Sequence, residues 1–293
     1  MLSILIPTYN YNCFSLVEEL KNQADHLRIE YEIIVQDDCS TEFVEENSKI
    51  NNLEHCCLQT NSSNLGRTRT RQILSEKAKF DWVLLLDSDV YPTTKNFLSN
   101  YISHINNSNS VVIGGIKYED IEVSISKSLR YKYGKEREEI NLKKRNQKPY
   151  NYILSANILI KKTIFEKFNY TENNNLYGLD IYFAYQLFLN KIPILHIENE
   201  VYHRGIEDNE AFFKKSLSAV ETRKKILENE VNIGEVNSLL KHYLFLKKYK
   251  LVIIVKLLFR VFESLLKKLI FSKNPSLMSL DLYRLGYLCT LKN

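Results

Sequence analysis

Five consecutive apolar residues, Trp82-Val83-Leu84-Leu85-Leu86, run directly into Asp87-Ser88-Asp89 and then Val90-Tyr91-Pro92. A short, unbroken run of this kind reads as a strand covered on both faces, the arrangement found in α/β sheets flanked by helices. The carboxylates then emerge at the strand's exit, where open α/β sheets bind their ligands. Two carboxylates one residue apart repel each other, and a hard divalent cation with oxygen ligands would relieve them. Taken alone, the tripeptide is also ordinary turn chemistry.

The residues before it repeat the same plan. Leu2 to Ile6 is an apolar run rich in β-branched residues, stopped by Pro7-Thr8-Tyr9-Asn10, and Phe14 to Leu27 has the apolar spacing of a helix. Tyr31 to Val35 reads as a second strand, and Asp37-Asp38-Cys39-Ser40-Thr41 as an acidic loop offering caps to a helix from Glu42. A third strand over Cys56 to Gln59 precedes Asn64-Leu65-Gly66, which turns into a helix carrying Arg67, Arg69 and Arg71. Strands alternating with helices predict a parallel sheet with right-handed crossovers. Neither GxGxxG after the first strand nor GxxxxGK[ST] anywhere is present, which disfavours a dehydrogenase or a P-loop enzyme. Arg67 and Arg71 share one helix face, a spacing that suits either a solvated basic face or a diphosphate.

At 293 residues the chain has room for a large α/β domain and an appendage. A net charge of +5 is too small to argue for nucleic acid. Five cysteines with no CxxC pair argue against a disulfide framework and a zinc site, and suit a reducing cytosol. The N-terminus reads as a strand without a basic n-region or a long apolar h-region, so no signal peptide is expected.

In order, Ile4-Leu5-Ile6-Pro7-Thr8-Tyr9-Asn10, Ile33-Ile34-Val35-Gln36-Asp37-Asp38-Cys39-Ser40-Thr41, Asn64-Leu65-Gly66-Arg67 with Arg71, and Leu85-Leu86-Asp87-Ser88-Asp89 resemble the signature of family 2 glycosyltransferases. The resemblance implies the GT-A fold, a Rossmann-like, mostly parallel nucleotide-sugar-binding sheet with helices on both faces. It implies that Pro7, Thr8 and Tyr9 line a nucleoside pocket, and that Asp38 or Asp37 accepts a hydrogen bond from the base. Asn64, Arg67, Arg71, Asp87 and Ser88 would complete the donor site, with Arg71 near the diphosphate and Asp87 near the ribose. Asp89, with Asp87, would hold a divalent metal, Mn2+ or Mg2+.

The second half continues the likeness. Val111 to Tyr118 reads as a strand, and Asn151 to Ile160 resembles the segment that brings the acceptor side to the donor. Between them, Leu129 to Lys135 and Lys143 to Pro149 form a basic stretch that is either a solvated loop or helix, or a mobile flap over an anionic ligand. Tyr177-Gly178-Leu179-Asp180 resembles the family's Glu-Asp motif at a helix start, with Leu179 where the Glu stands. Asp180 would be the general base, against the plainer role of a carboxylate favouring the helix dipole. Within Ile194 to Gly205, His203 would be a further metal or diphosphate contact, and His196 a core or sheet-face histidine.

After about residue 225 the composition changes. Leu239 to Ile270 is rich in Leu, Val, Ile and Phe but broken by eight Lys and Arg residues, so it lacks the ~20 nearly unbroken apolar residues of a membrane span. It suits an amphipathic helix at an anionic membrane surface, or one packed on protein, including a second copy in a homo-oligomer. The reading is therefore a catalytic domain over 1–225 and a helical appendage over 226–293. The implied activity is inverting transfer from a nucleoside diphosphate sugar, UDP-linked, to a hydroxyl of a glycan or lipid-linked acceptor in bacterial surface polysaccharide synthesis. The implied place is the cytoplasm, peripheral on the inner face of the cell membrane. A sugar-nucleotide nucleotidyltransferase and a non-catalytic nucleotide-sugar binder are the alternatives.

Overall fold

The structure is a computed structural model that describes residues 1–105, 109–172 and 176–292. The chain divides into two compact units, one of Met1–Glu119, Glu139–Asn175 and Leu189–Gly205, the other of Asp120–Glu138, Leu176–Phe188 and Ile206–Asn293. The second unit is thus more than the C-terminal segment, since it draws in two stretches from the middle of the chain.

The first unit is built on the apolar runs. Strands β1 (Leu2–Thr8), β2 (Tyr31–Asp37), β3 (Cys56–Thr60) and β4 (Trp82–Leu86) pair in parallel, in the spatial order β3-β2-β1-β4. Every residue of β1 and β4 is buried, as a strand covered on both faces requires, and each Leu or Ile so buried contributes about 1.5–3 kcal/mol. Helix Phe14–Leu27 returns the chain from β1 to its parallel neighbour β2, and helix Arg67–Lys77 carries it from β3 at the sheet edge across to β4 on the far side of β1. The remaining strands are short: β5 (Val90–Pro92), β6 (Val111–Ile113), β7 (Ile116–Lys117), β8 (Asn157–Lys161), β9 (Ile194–His196) and β10 (Val201–His203). β8 pairs antiparallel with β4 and β6, and β9 lies parallel to β6, completing a seven-stranded, mostly parallel sheet. A second sheet has the order β5-β10-β7. All exits of the parallel strands point to one end of the large sheet.

Three local expectations are corrected. Val111 to Tyr118 is not one strand: it breaks at Gly114-Gly115 and passes from the large sheet to the small one. Gly115 has φ +90°, and a Cβ there would lie 2.9 Å from the Arg145 guanidinium, so only glycine makes the crossing without strain. The helix expected from Glu42 begins at Val44, after Phe43 in the left-handed region. No side chain caps it, and the Thr41 and Glu42 amides ahead of it donate to Asn10 Oδ1. The basic stretch is not wholly solvated. It forms helices Ser128–Tyr133 and Leu142–Gln147 with a π turn at Gly134–Glu138, and Arg145 is only 2% exposed. Arg145 donates to the carbonyls of Ile140, Ile113 and Ile197, filling the hollow beside the glycine crossing. His196 beside it is buried, as expected, and bonded to the Pro149 carbonyl; burial and the nearby guanidinium push its pKa down to about 4, so the ring stays neutral.

The second unit is helical. Asp180–Leu189, Asn209–Leu227, Ser238–Lys248, Val252–Ile270 and Leu277–Thr290 join Ser128–Tyr133, and Leu129, Phe212, Phe213, Phe259, Ile270, Leu277, Leu280 and Tyr283 form one core. Among the described residues no helix is long and apolar enough to cross a membrane. Helices Val252–Ile270 and Leu277–Thr290 approach closely because Gly286 faces Phe259, whose ring meets Tyr283 edge-on at 4.9 Å. A Cβ at Gly286 would fall 2.3 Å from Phe259 Cδ2 and 2.8 Å from its Cβ. Gly286→Val should therefore overpack this contact and cost about 1–3 kcal/mol of unfolding free energy, read from denaturant melts.

Candidate active site

Five of the expected site positions, Pro7, Thr8, Tyr9, Asp37 and Asp38, lie at the exits of β1 and β2. Thr8 pairs in register with Asp37, and Asp38 N–H donates to the Thr8 carbonyl at 2.8 Å, which locks the two strand ends together. Pro7 and Thr8 are buried, whereas Tyr9 is half exposed at 51%. Asp37 Oδ1 accepts from the Ser40 amide at 2.9 Å and its hydroxyl at 2.5 Å. Asp38 reaches across to the next loop: Oδ1 accepts from Leu65 N–H and Asn61 Nδ2, and Oδ2 from Gly66 N–H, each at 2.8 Å. Backbone amides donating to a carboxylate make short, directional hydrogen bonds. Here they fix the Asn64-Leu65-Gly66 turn, with Gly66 at φ +81°, and so the start of helix Arg67–Lys77. Asn64 itself is exposed.

At the exit of β4 the basic helix meets the acidic tripeptide. Arg71 is 3% exposed and is bonded to Asp87 Oδ1, to Ser155 Oγ at 2.6 Å and to the Ser155 carbonyl at 3.0 Å. Arg67 lies 3.1 Å from Asp87 Oδ2. Both guanidinium groups that the spacing offered to a diphosphate are thus turned onto one carboxylate. Burial opposes ionisation of Asp87, but Arg71, then Arg67 and His203, outweigh it and hold the carboxyl below the usual aspartate range. Sequence spacing did not single out Ser155; its part follows from β8 entering the sheet beside β4.

Asp89 is placed differently. It precedes β5, and β10 pairs antiparallel with β5 so that His203 faces Val90. His203 Nε2 consequently lies 3.5 Å from Asp89 Oδ2. Its ring rests against Tyr118, with centroids 5.5 Å apart, and its buried Nδ1 has no hydrogen-bond partner among the described residues. Gly205 closes the other side: a Cβ there would fall 1.9 Å from Asp89 Oδ2, so the carboxylate occupies the space a side chain would take. Arg204 N–H donates to the Asp89 carbonyl at 2.8 Å, and Arg204 lies over Tyr91 and pairs with Glu119. Burial, then the charge of Asp89, raises the pKa of Tyr11, which puts this phenol near the same group. Among the described residues no three His, Cys, Asp or Glu side chains gather as a metal cage. The carboxylate and imidazole of Asp89 and His203 nevertheless suit a divalent ion whose other ligands come from a bound diphosphate or water. Ser88 is half-buried between the two aspartates.

Asp180 belongs to the second unit, where it heads helix Asp180–Leu189. Leu179 beside it is 5% exposed, so the position at which the resemblance expects Glu is a packed apolar one.

The sequence profile described as Glycosyl transferase family 2 matches residues 3–168, more than half of the chain. The chain is a family 2 glycosyltransferase. Over 96 residues, 30% of its length, this glycosyltransferase is 35% identical to the poly(ribitol-phosphate) beta-N-acetylglucosaminyltransferase TarS of Staphylococcus aureus, and that segment spans 16% of TarS. It is 33% identical over 93 residues to an uncharacterized glycosyltransferase of Haemophilus influenzae, of which it covers 29%. Its fold resembles that of S. aureus TarS 1–349 in complex with UDP-GlcNAc, with TM-score 0.54 and 18% identity, covering 97% of this chain and 90% of that one. It also resembles the mannosyltransferase PcManGT of Pyrobaculum calidifontis in complex with GDP-Man and Mn2+, with TM-score 0.53 and 13% identity, over 78% and 64% of the two chains.

Removing Arg71 from this glycosyltransferase leaves Asp87 buried without its largest compensating charge. Arg71→Met should cost about 3–5 kcal/mol of stability at neutral pH. Because the folded pKa of Asp87 is depressed in the wild type, its contribution is full above the unfolded aspartate value and is lost as pH falls through the lower folded value. The difference between variant and wild type should therefore shrink on acidification, as denaturant melts across the carboxylate range would show.

Proposed function

We propose that this family 2 glycosyltransferase moves a sugar from a UDP-sugar to a hydroxyl of a glycan or lipid-linked acceptor, with inversion, in the synthesis of a surface polysaccharide. The observation that carries this reading is the grouping of Thr8, Asp38, Asp87 and Asp89 at the exits of three adjacent parallel strands, with His203 against Asp89. That end of an open α/β sheet is suited to a nucleotide. The S. aureus enzyme solved with UDP-GlcNAc supports UDP as the nucleotide and an N-acetylhexosamine as the sugar. Five free cysteines support a reducing, cytoplasmic compartment.

On this reading Pro7, Thr8 and Tyr9 bound the nucleoside, with Asp38 or Asp37 taking a hydrogen bond from the base. A carboxylate has about four lone-pair directions, so Asp38 can accept a further donor beside its three present ones. Arg71 positions Asp87 at the ribose, with Arg67, Asn64 and Ser88 at the rim. Asp89 and His203 would hold a manganese or magnesium ion, which offsets charge on the departing diphosphate. Asp180 takes the proton from the acceptor hydroxyl as it attacks the anomeric carbon from the opposite side, and the C–O bond to the diphosphate breaks.

Calorimetric titration of UDP-GlcNAc with and without Mn2+ tests the donor site. Asp89→Ala and His203→Ala should each remove the Mn2+-dependent part of the affinity while the thermal midpoint of the protein alone stays unchanged. Unaltered metal-dependent binding in both variants would overturn the assignment. Asp180→Asn should keep donor affinity and lower kcat by about 10²- to 10⁴-fold. Turnover that survives this change, or release of pyrophosphate in place of UDP, would exclude the proposed reaction.

A further inference from the structure

Helix Val252–Ile270 has two apolar faces, and the core of its unit uses only one. Phe259 and Ile270 are buried, and Phe259 meets Tyr283 and Gly286. At 100° per residue, Ile253, Ile254, Leu257, Leu258, Val261, Phe262, Leu265 and Leu269 fall together on the other side. All are exposed, Ile253 and Val261 by 70% and 71%. An exposed apolar stripe of this length marks a docking surface rather than the scattered apolar residues normal on a protein. Phe245, Tyr249 and Leu251, just ahead of the helix in the chain, are also exposed.

The charges around the stripe select the occupant. Between residues 238 and 273 there are nine Lys and Arg residues and a single carboxylate, Glu263, which is already paired with Lys267 at 2.9 Å. Lys256, Arg260 and Lys267 follow one edge of the stripe, and Lys268 lies within it. A second copy seated on this face by two-fold symmetry would bring a second set of the same cations to the interface with only one further carboxylate, and lysine is depleted in the cores of protein interfaces. An anionic bilayer surface accepts the apolar side chains between its headgroups and attracts the cations, whose long stems let their heads reach lipid phosphates. We propose that helix Val252–Ile270 docks this enzyme in the plane of an anionic membrane, its apolar stripe buried at the headgroup boundary.

The test is cosedimentation of the full chain with vesicles of phosphatidylcholine alone or mixed equally with phosphatidylglycerol, at low and high salt. Binding should require the anionic lipid and fall with salt. Arg260→Ala and Lys268→Ala should each weaken it by about fivefold, the equivalent of one cation near such a surface. Val261→Asp with Leu265→Asp should abolish it while leaving the circular dichroism melt unchanged, since both side chains are exposed. Absence of binding to the anionic vesicles overturns the proposal, as does binding that survives the double change. So does a discrete oligomer, seen by light scattering, that Val261→Asp dissociates while the wild type ignores lipid.

Discussion

A buried ion pair, Arg71 with Asp87, ties together the end of the large sheet on which the proposed chemistry depends. It joins three segments distant in the chain: the second turn of helix Arg67–Lys77, the exit of β4, and Ser155 ahead of β8. Removing two charges from water costs several kcal/mol per ion, and the pair repays this only because further hydrogen bonds complete it. Ser155 supplies two such bonds from its hydroxyl and carbonyl, and Arg67 adds a second positive charge. The geometry at the β4 exit is therefore set by electrostatics that no single segment contains.

The acidic residues at this end of the sheet are sorted by what already holds them. Asp37 is closed on Ser40, Asp38 on the amides of the 61–66 loop, and Asp87 on two arginines. Asp89 instead faces an imidazole 3.5 Å away, with Gly205 making room for it. The first three act on the protein's own loops, which fixes where the fourth can stand. It is to Asp89 that the proposed function gives the cation, and His203 reaches it only because a small three-stranded sheet brings β10 against β5.

Much of the first unit was legible in the chain. Helix Phe14–Leu27 and strand Trp82–Leu86 have the bounds that apolar periodicity predicts, because a strand buried on both faces and an amphipathic helix leave strong local patterns. The short elements were less legible. Gly114-Gly115 sits inside an apolar run that reads as one strand, and its division between two sheets follows from Arg145 and Asn157 packing beside it. Arg145 lies in a run of cations that reads as solvated, yet it is interior, since three carbonyls of neighbouring segments accept its protons. Nothing in a basic tract marks which member will find such partners.

By itself the sequence determined the order of strands and helices through about residue 90, the family and the acidic residues at the strand exits, because each depends on local patterning or on motifs contiguous in the chain. Tertiary structure decided the pairings: Arg71 onto Asp87, Asp38 onto the 61–66 loop, His203 onto Asp89, and Phe259 rather than the Ile253 to Leu269 stripe into the core. The reason is physical. A charge or an apolar face can be recognised from its neighbours in the chain, but its partner is chosen by register and helix packing, which bring together residues up to a hundred or more positions apart.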